Sequence, residues 1–261
     1  MVVGMHVAQP STALVAWGNA WLSGHVGLDE AVDAIEQVTG QHVVSGVPGE
    51  PGEVPLRRGL GGLRVAGMTA LRLALPAPGD PLGLTGPPEL NTAALEAGEA
   101  ALVALPERPI GLVPAEDRRG SSYVGVRWNV FEARPGTPDV PSLPEADHQL
   151  TLALRDATDA LMTVEDVSAW RPEMAEALTS LRESHHSDPP GGLAPGYPAR
   201  AHRVAALAGR LAIVVDLARQ VESQGLTAAQ LRCRADALRL LDHAVRRARV
   251  AAHNSAFDPV P

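Results

Sequence analysis

Apolar residues fall at helical spacing near the start of the chain. Leu14, Trp17 and Trp21 recur at i, i+3 and i+7, and Ser11 stands at the N-cap position, so the pattern predicts a helix to about Ser23. Ala31, Val32, Ile35 and Val38 predict a second helix over Leu28–Val38, with Gly40 placed to end it. His42-Val43-Val44 reads as a short strand and Pro48–Pro55 as a loop. Leu56–Ala66 reads as a helix despite Gly59, Gly61 and Gly62, with Gly67 as its terminating glycine. Thr69–Leu75 reads as a strand ending at Pro76, followed by the loop PAPGDPLGLTGPP. Pro88-Glu89 opens a helix expected to reach about Leu105, with Leu90, Ala94, Ala97, Ala101 and Val103 available for burial. Pro109–Val113 is the next strand, Ala115–Ser121 a polar turn, and Tyr123–Ala133 a further strand. In that strand Val124, Val126, Trp128 and Val130 share one face. The last two strands are expected to pair as an antiparallel hairpin.

The texture changes at Arg134–Leu143, RPGTPDVPSL, which carries three prolines and one glycine and reads as a linker. Beyond it the spacing is helical. Leu150, Leu154, Ala157 and Leu161 form one stripe, and Met174, Leu178 and Leu181 form a second after a break at Trp170-Arg171-Pro172. SDPPGGLAPGYP follows as a loop. Val204, Leu207, Leu211, Val214, Ala218 and Val221 form a third stripe, and Leu231 to Ala252 a fourth, with Gly225 at the turn and Thr227 as cap. The expected fold is α+β. A small N-terminal α/β layer of three to four strands (residues 1–134) is joined by a Pro/Gly linker (135–143) to an antiparallel four-helix bundle (144–261).

Composition narrows the chemistry. All 22 basic residues are arginine, which together with 23 Pro and 25 Gly reads as GC-rich coding bias, so arginine enrichment carries little weight for phosphate binding. The single cysteine, Cys233, excludes an internal disulfide and a cysteine-based zinc site, and its helical setting points to a structural thiol. The opening segment lacks a basic n-region, and Trp17, Asn19 and Trp21 interrupt its apolar run, so it does not read as a signal peptide. No stretch has the roughly 20 apolar residues of a membrane span. A cytoplasmic protein without membrane contact or cofactor is expected.

Charge is unevenly placed. Residues 199–253 hold ten Arg against four acidic residues, residues 144–184 three against nine, and residues 1–143 nine against fifteen. Arg232, Arg239 and Arg246 recur every seven residues and make the last helix a candidate nucleic-acid face. The opposite charges of the two hairpins, and the pairing of Asp242 with Arg246 at i, i+4, favour internal neutralisation over nucleic acid.

One loop is a candidate ligand site. Pro76–Pro88 leaves the carboxyl end of a strand, with Gly79 and Gly83 to admit a ligand, Asp80 to orient a hydroxyl or cation, and Asn91 in the following helical turn. It lacks a phosphate-loop signature, and a stiff connection with Asp80 in an Asx turn competes with the ligand reading. Glu116, Asp117, Arg118 and Arg119 read as a solvated turn. His185, His186 and Asp188 form a weak metal pattern better explained by a helix C-terminus, and His202, His243 and His253 are not expected to converge. No metal site and no catalytic residue is assigned.

The stretches LRLALPAPGDPLGL, ALEAGEAAL and GYPARAHRVAALAGRLAIVVDLA resemble segments of an uncharacterised family of GC-rich actinobacterial-type proteins. That resemblance implies a shared fold and assigns no activity. The expected function is therefore a non-enzymatic interaction or accessory protein, with a protein partner or a second copy of itself. Small-molecule binding at Pro76–Pro88 and nucleic-acid binding through the arginine face stand as alternatives.

Overall fold

A computed structural model describes residues 9–119, 123–136, 138–164, 192–220 and 227–257. Helix α1 (Pro10–Leu22) starts two residues earlier than the Ser11 hydroxyl suggests, with its N-cap at Gln9 instead of Ser11. Pro10 takes the first-turn position that suits its fixed φ, and the Ser11 N–H is free to bond elsewhere. This helix is buried on nearly all sides, from Pro10 through Ala16 and again at Gly18, Asn19 and Ala20. Helix α2 (Leu28–Thr39) ends as expected at Gly40, whose φ of 83° few residues tolerate.

The sheet has six strands, which corrects the expected three to four. They are β1 (His42–Ser45), β2 (Glu53–Pro55), β3 (Ala70–Ala74), β4 (Ala100–Ala104), β5 (Ile110–Arg119) and β6 (Tyr123–Glu132). Helix α3 (Leu56–Val65) follows β2, and α4 (Pro88–Ala97) precedes β4. Strand order is β2-β1-β6-β5-β4-β3, with β1 and β6 parallel and every other pair antiparallel. Strand β4 lies inside the segment expected to be helical. Gly98, left-handed at φ 73°, stops α4 at Ala97, and the AALVA run after it pairs on both sides. A short apolar run of that kind fits a buried strand or a helix equally well by periodicity. The hairpin expectation holds for β5 and β6, but the pairing runs from Ile110↔Glu132 to Arg119↔Tyr123, so most of the expected polar turn is strand.

Helices cover both faces of the sheet. Leu14 and Val15 of α1, with Leu56 and Leu60 of α3, close over Leu71, Val103, Leu112 and Trp128. Leu90 and Ala94 of α4 cover Leu102 and Val113 on the opposite face. Gly111 lies beneath α4, where an added Cβ would overlap Leu90.

Beyond Ser142 come α5 (Leu143–Val164), α6 (Ala199–Gln220) and α7 (Ala228–Asn254). Thr227 and Gln230 form the reciprocal capping box that opens α7. Both α5 and α6 pack on α7. The expected helix carrying Met174, Leu178 and Leu181, the break at Trp170–Pro172, and the turn at Gly225 lie outside the described residues. Ala16 and Ala20 of α1 join the helical core with Leu241 and Ala248, while Val250 of α7 joins the core beneath the sheet.

The outer edge of β3 is closed by side chains rather than by another strand. Asn19 accepts from the Leu71 N–H and donates to the Leu71 carbonyl, each at 2.8 Å. Asn254 accepts from the Leu73 N–H at 2.7 Å and donates to its carbonyl at 3.1 Å. Each primary amide thus supplies the donor and acceptor a neighbouring peptide would, and two helices protect the edge of one strand. Tyr197 continues the network. Its hydroxyl receives the Asn19 amide at 3.4 Å and donates to the His253 carbonyl at 3.0 Å.

Candidate functional site

The loop expected to hold a ligand and the arginine face of the last helix meet each other. Ala77 and Asp80 exchange two backbone hydrogen bonds of 2.9 Å across Pro78-Gly79, with Gly79 at φ 79°, a type II turn with proline first and glycine second. That turn holds the Asp80 carboxylate against α7. Its Oδ2 lies 3.1 Å from both His243 Nδ1 and Arg246 Nη1, and its Oδ1 lies 3.6 Å from Arg247 Nη1. Asp80 is only 13% exposed, and among the described residues its Oδ2 accepts no aligned hydrogen bond, so attraction between charges dominates the contact. Arg246 also donates to the Leu75 carbonyl at 2.9 Å and pairs with Asp242, and Arg247 reaches Asp139 at 3.5 Å.

The other residues of the loop hold backbone. Gly83, at φ 96°, passes so close to β3 that an added Cβ would stand 3.1 Å from the Ala74 Cβ. Asn91 accepts from the Gly86 N–H at 3.1 Å and ties the loop to the start of α4. Of the heptad-spaced arginines, Arg246 is mostly covered, Arg239 pairs with Asp236 on the surface, and Arg232 is exposed. Neutralisation of the basic helix thus draws on Asp80 and Asp139 from the N-terminal half. An ion pair between Asp147 and Arg200 links α5 to α6.

Replacing Asp80 with alanine is expected to cost about 2 kcal/mol, because two partly covered guanidinium groups lose an anion while each keeps another acceptor. A urea unfolding curve superimposable on that of the wild type would refute the assignment.

Three other clusters take defined places. Asp117, 2% exposed at its side chain, bonds Arg119 Nε and Arg127 Nη2 at 2.8 Å each, and Glu53 bonds the same two arginines. Two carboxylates and two guanidinium groups close a ring across β2, β5 and β6, which corrects the expected solvated turn and explains why β5 continues to Arg119. The pairing holds the Glu53 carboxyl below the usual carboxylate range. His253 is buried, with Nδ1 2.8 Å from the Arg249 carbonyl, and His202 meets the Tyr197 ring edge-on, so neither joins His243. Cys233 is helical as expected but exposed. His185, His186 and Asp188 lie outside the described residues.

Two buried ionisable groups had no signal in the sequence pattern. His42 is 1% exposed, and its Nδ1 accepts from Trp128 Nε1 at 3.1 Å. The ring proton therefore sits on Nε2, 2.6 Å from the Thr39 hydroxyl. Burial pushes the imidazole down to about 4. Glu99 stands at the N-terminus of α1 and accepts from the Ser11 N–H at 2.8 Å. Burial pushes its carboxyl up to about 7, against the pull of Ser11 and of the Arg249 charge.

An apolar groove of about 580 Å³ lies between α5 and α7. Leu152 and Leu240 stand in it at 47% and 56% exposure, with Ala157 and Ala244 at its base and Asp156, Asp236 and His243 among the polar residues around them.

Fold and surface together define a mixed α/β protein in which side chains from two helices close the β3 edge of the sheet and the basic helix is partly neutralised from the N-terminal half. The N-terminal domain of the Rv1486c-like protein family matches residues 11–143, and the C-terminal domain of that family matches residues 144–250. The chain belongs to the Rv1486c-like family. "Uncharacterized protein Rv1486c" of Mycobacterium tuberculosis (strain ATCC 25618 / H37Rv) is 32% identical over 93% of this chain and 95% of its own length. "Uncharacterized protein ML1804" of Mycobacterium leprae is 28% identical over 94% and 96%. These relatives support the expected actinobacterial kinship, and their names attach no activity to the family. No solved structure matches the chain. Among the described residues no helix is long and apolar enough to cross a membrane.

Proposed function

We propose that the chain is a non-enzymatic cytoplasmic accessory protein that holds a protein partner in the groove between α5 and α7. The observation that carries this reading is the pair of exposed leucines, Leu152 and Leu240, over an alanine base. An apolar groove with a polar surround suits one apolar face of a partner helix, whose side chains enter at helical spacing. The arginine-rich helix favours a protein partner over nucleic acid, because Arg246 and Arg247 are engaged by Asp80, Asp242 and Asp139. The lone cysteine suits a reducing compartment. A division into an α/β unit (1–134), a linker (135–143) and a helical bundle (144–261) belongs to the same proposal.

The test is native mass measurement of the protein purified at low salt, alone and with co-purifying material. The wild type should carry the additional mass of a partner, and Leu152→Asp with Leu240→Asp should release it while the far-ultraviolet spectrum stays unchanged. A solitary wild-type monomer, or a partner retained by the doubly substituted protein, would sink the proposal.

A further inference from the structure

Nine arginines lie between residues 1 and 143. Seven of them reach an acceptor. Arg57 pairs with Asp29, Arg58 with Glu50, Arg108 with Glu132 and Arg118 with Glu116. Arg119 and Arg127 share Asp117 and Glu53, and Arg64 donates to the Met68 carbonyl. Among the described residues, only Arg72 and Arg134 of this set have no such acceptor, and both line one cavity of about 230 Å³.

The fold brings these two together from the middle and the end of the α/β half. Leu71 and Leu73 of β3 are buried toward α1, so alternation along the strand puts Arg72 on the opposite face, paired in register with Leu102 of β4. Arg134 follows β6, and both polar groups of its backbone are bound. Its N–H donates to the Gly86 carbonyl at 3.1 Å, and its carbonyl accepts from the Thr85 hydroxyl at 2.8 Å. The Arg134 side chain then runs past Gly86, where an added Cβ would stand 3.7 Å from the Arg134 Cδ. Leu102, Pro109 and Ala133 add apolar wall, and among the described residues no carboxylate lines the cavity.

Two guanidinium groups without acceptors among the described residues, on an apolar surface in a chain of formal net charge −8, run against the charge of the whole molecule. Guanidinium is suited to carboxylate and phosphate oxygens, which it can bind in a bidentate fork. The volume is below the usual range for drug-sized ligands, so the ligand is small. We propose that this cavity binds a small organic oxyanion, a carboxylate or phosphate carrying a short apolar group. Arg72 and Arg134 take the oxygens, and Leu102, Pro109 and Ala133 take the apolar body. The site shares Thr85 and Gly86 with the Pro76–Pro88 loop but does not involve Asp80, and it is independent of the groove between α5 and α7.

The test is calorimetric titration of the full chain with benzoate, phenyl phosphate and inorganic phosphate at low ionic strength. One of the two aromatic probes should bind at least about tenfold more tightly than inorganic phosphate, and the stronger of the two identifies the head group. Arg72→Gln or Arg134→Gln should each weaken that binding about tenfold or more, and together they should abolish it. Arg155→Gln on α5 should leave it unchanged. Both target side chains are exposed and have no ion pair among the described residues, so the variants are expected to fold, and Arg72→Lys provides a second variant that keeps the charge and loses the fork. The proposal is overturned if neither aromatic probe saturates, if inorganic phosphate binds as well as they do, or if the double variant retains the affinity.

Discussion

Asn19→Ala is expected to destabilise the protein by about 4 kcal/mol, lowering the midpoint of thermal unfolding by roughly 10 °C. The side chain is 1% exposed and closes two hydrogen bonds on Leu71, one to each backbone polar group. Alanine leaves a buried N–H and a buried C=O without partners, and each orphan costs about 1–3 kcal/mol. The Tyr197 hydroxyl also loses its donor. Asn254→Ala acts on Leu73 in the same way but at a partly buried position, so about half the effect is expected. Hydrogen exchange gives the second readout. The Leu71 amide should lose protection in Asn19→Ala and the Leu73 amide in Asn254→Ala, each ahead of the rest of the sheet. A drop of less than about 1 kcal/mol for Asn19→Ala would mean that water replaces the amide and that the clamp is incidental. An opened β3 edge is also a template for pairing with another chain, so aggregation on heating should rise with the destabilisation.

That clamp marks the limit of what periodicity reveals. Asn19 is visible in the sequence only as a polar interruption of an apolar helix, which helps to dismiss a signal peptide and gives no address for its amide. The address lies 52 residues away at Leu71. Elements with strong local signals were legible, among them the β5–β6 hairpin, Gly40 as a helix end and the Thr227 cap, whereas helical spacing runs straight through Gly98 and hides both that helix end and β4. β2 was lost because three residues in a proline- and glycine-rich stretch carry no period. The candidate site was half legible. Asp80 and the Arg246 face were each singled out for charge or loop geometry, but a reading along the chain treats them as separate sites. Only the packing of α7 across the end of β3 makes them partners. Arg72 and Arg134 have no motif between them, because what they share is a cavity with no carboxylate among the described residues, and that is a property of the folded surface.

Two buried groups with opposite displacements should flatten the pH dependence of stability, and substitution of either should unmask the other. The Glu99 carboxyl is raised from 4.5 to about 7, so the folded state holds its proton after the unfolded chain has lost it. Its contribution is fully present below pH 4.5 and is lost as pH rises to about 7. The His42 ring is lowered from 6.5 to about 4, so the unfolded chain takes up a proton that the folded state refuses. Its contribution is present above pH 6.5 and is lost as pH falls to about 4. Each displacement corresponds to about 3 kcal/mol. Between pH 4.5 and 6.5 the two slopes oppose each other at about 1.4 kcal/mol per pH unit. Glu99→Gln keeps an acceptor for the Ser11 N–H and removes the ionisation. It should match the wild type near pH 4.5 and exceed it by up to about 3 kcal/mol at pH 8, with Asp216 and Asp242 still beside Arg249. His42→Asn loses a hydrogen bond at every pH, but its deficit against the wild type should shrink by about 3 kcal/mol as pH falls from 7 to 4. Difference curves from denaturant titrations across that range cancel the surface carboxylates common to all three proteins. Parallel curves for Glu99→Gln and the wild type would show that Glu99 is solvated in the folded state, and parallel curves for His42→Asn would show the same for the His42 ring.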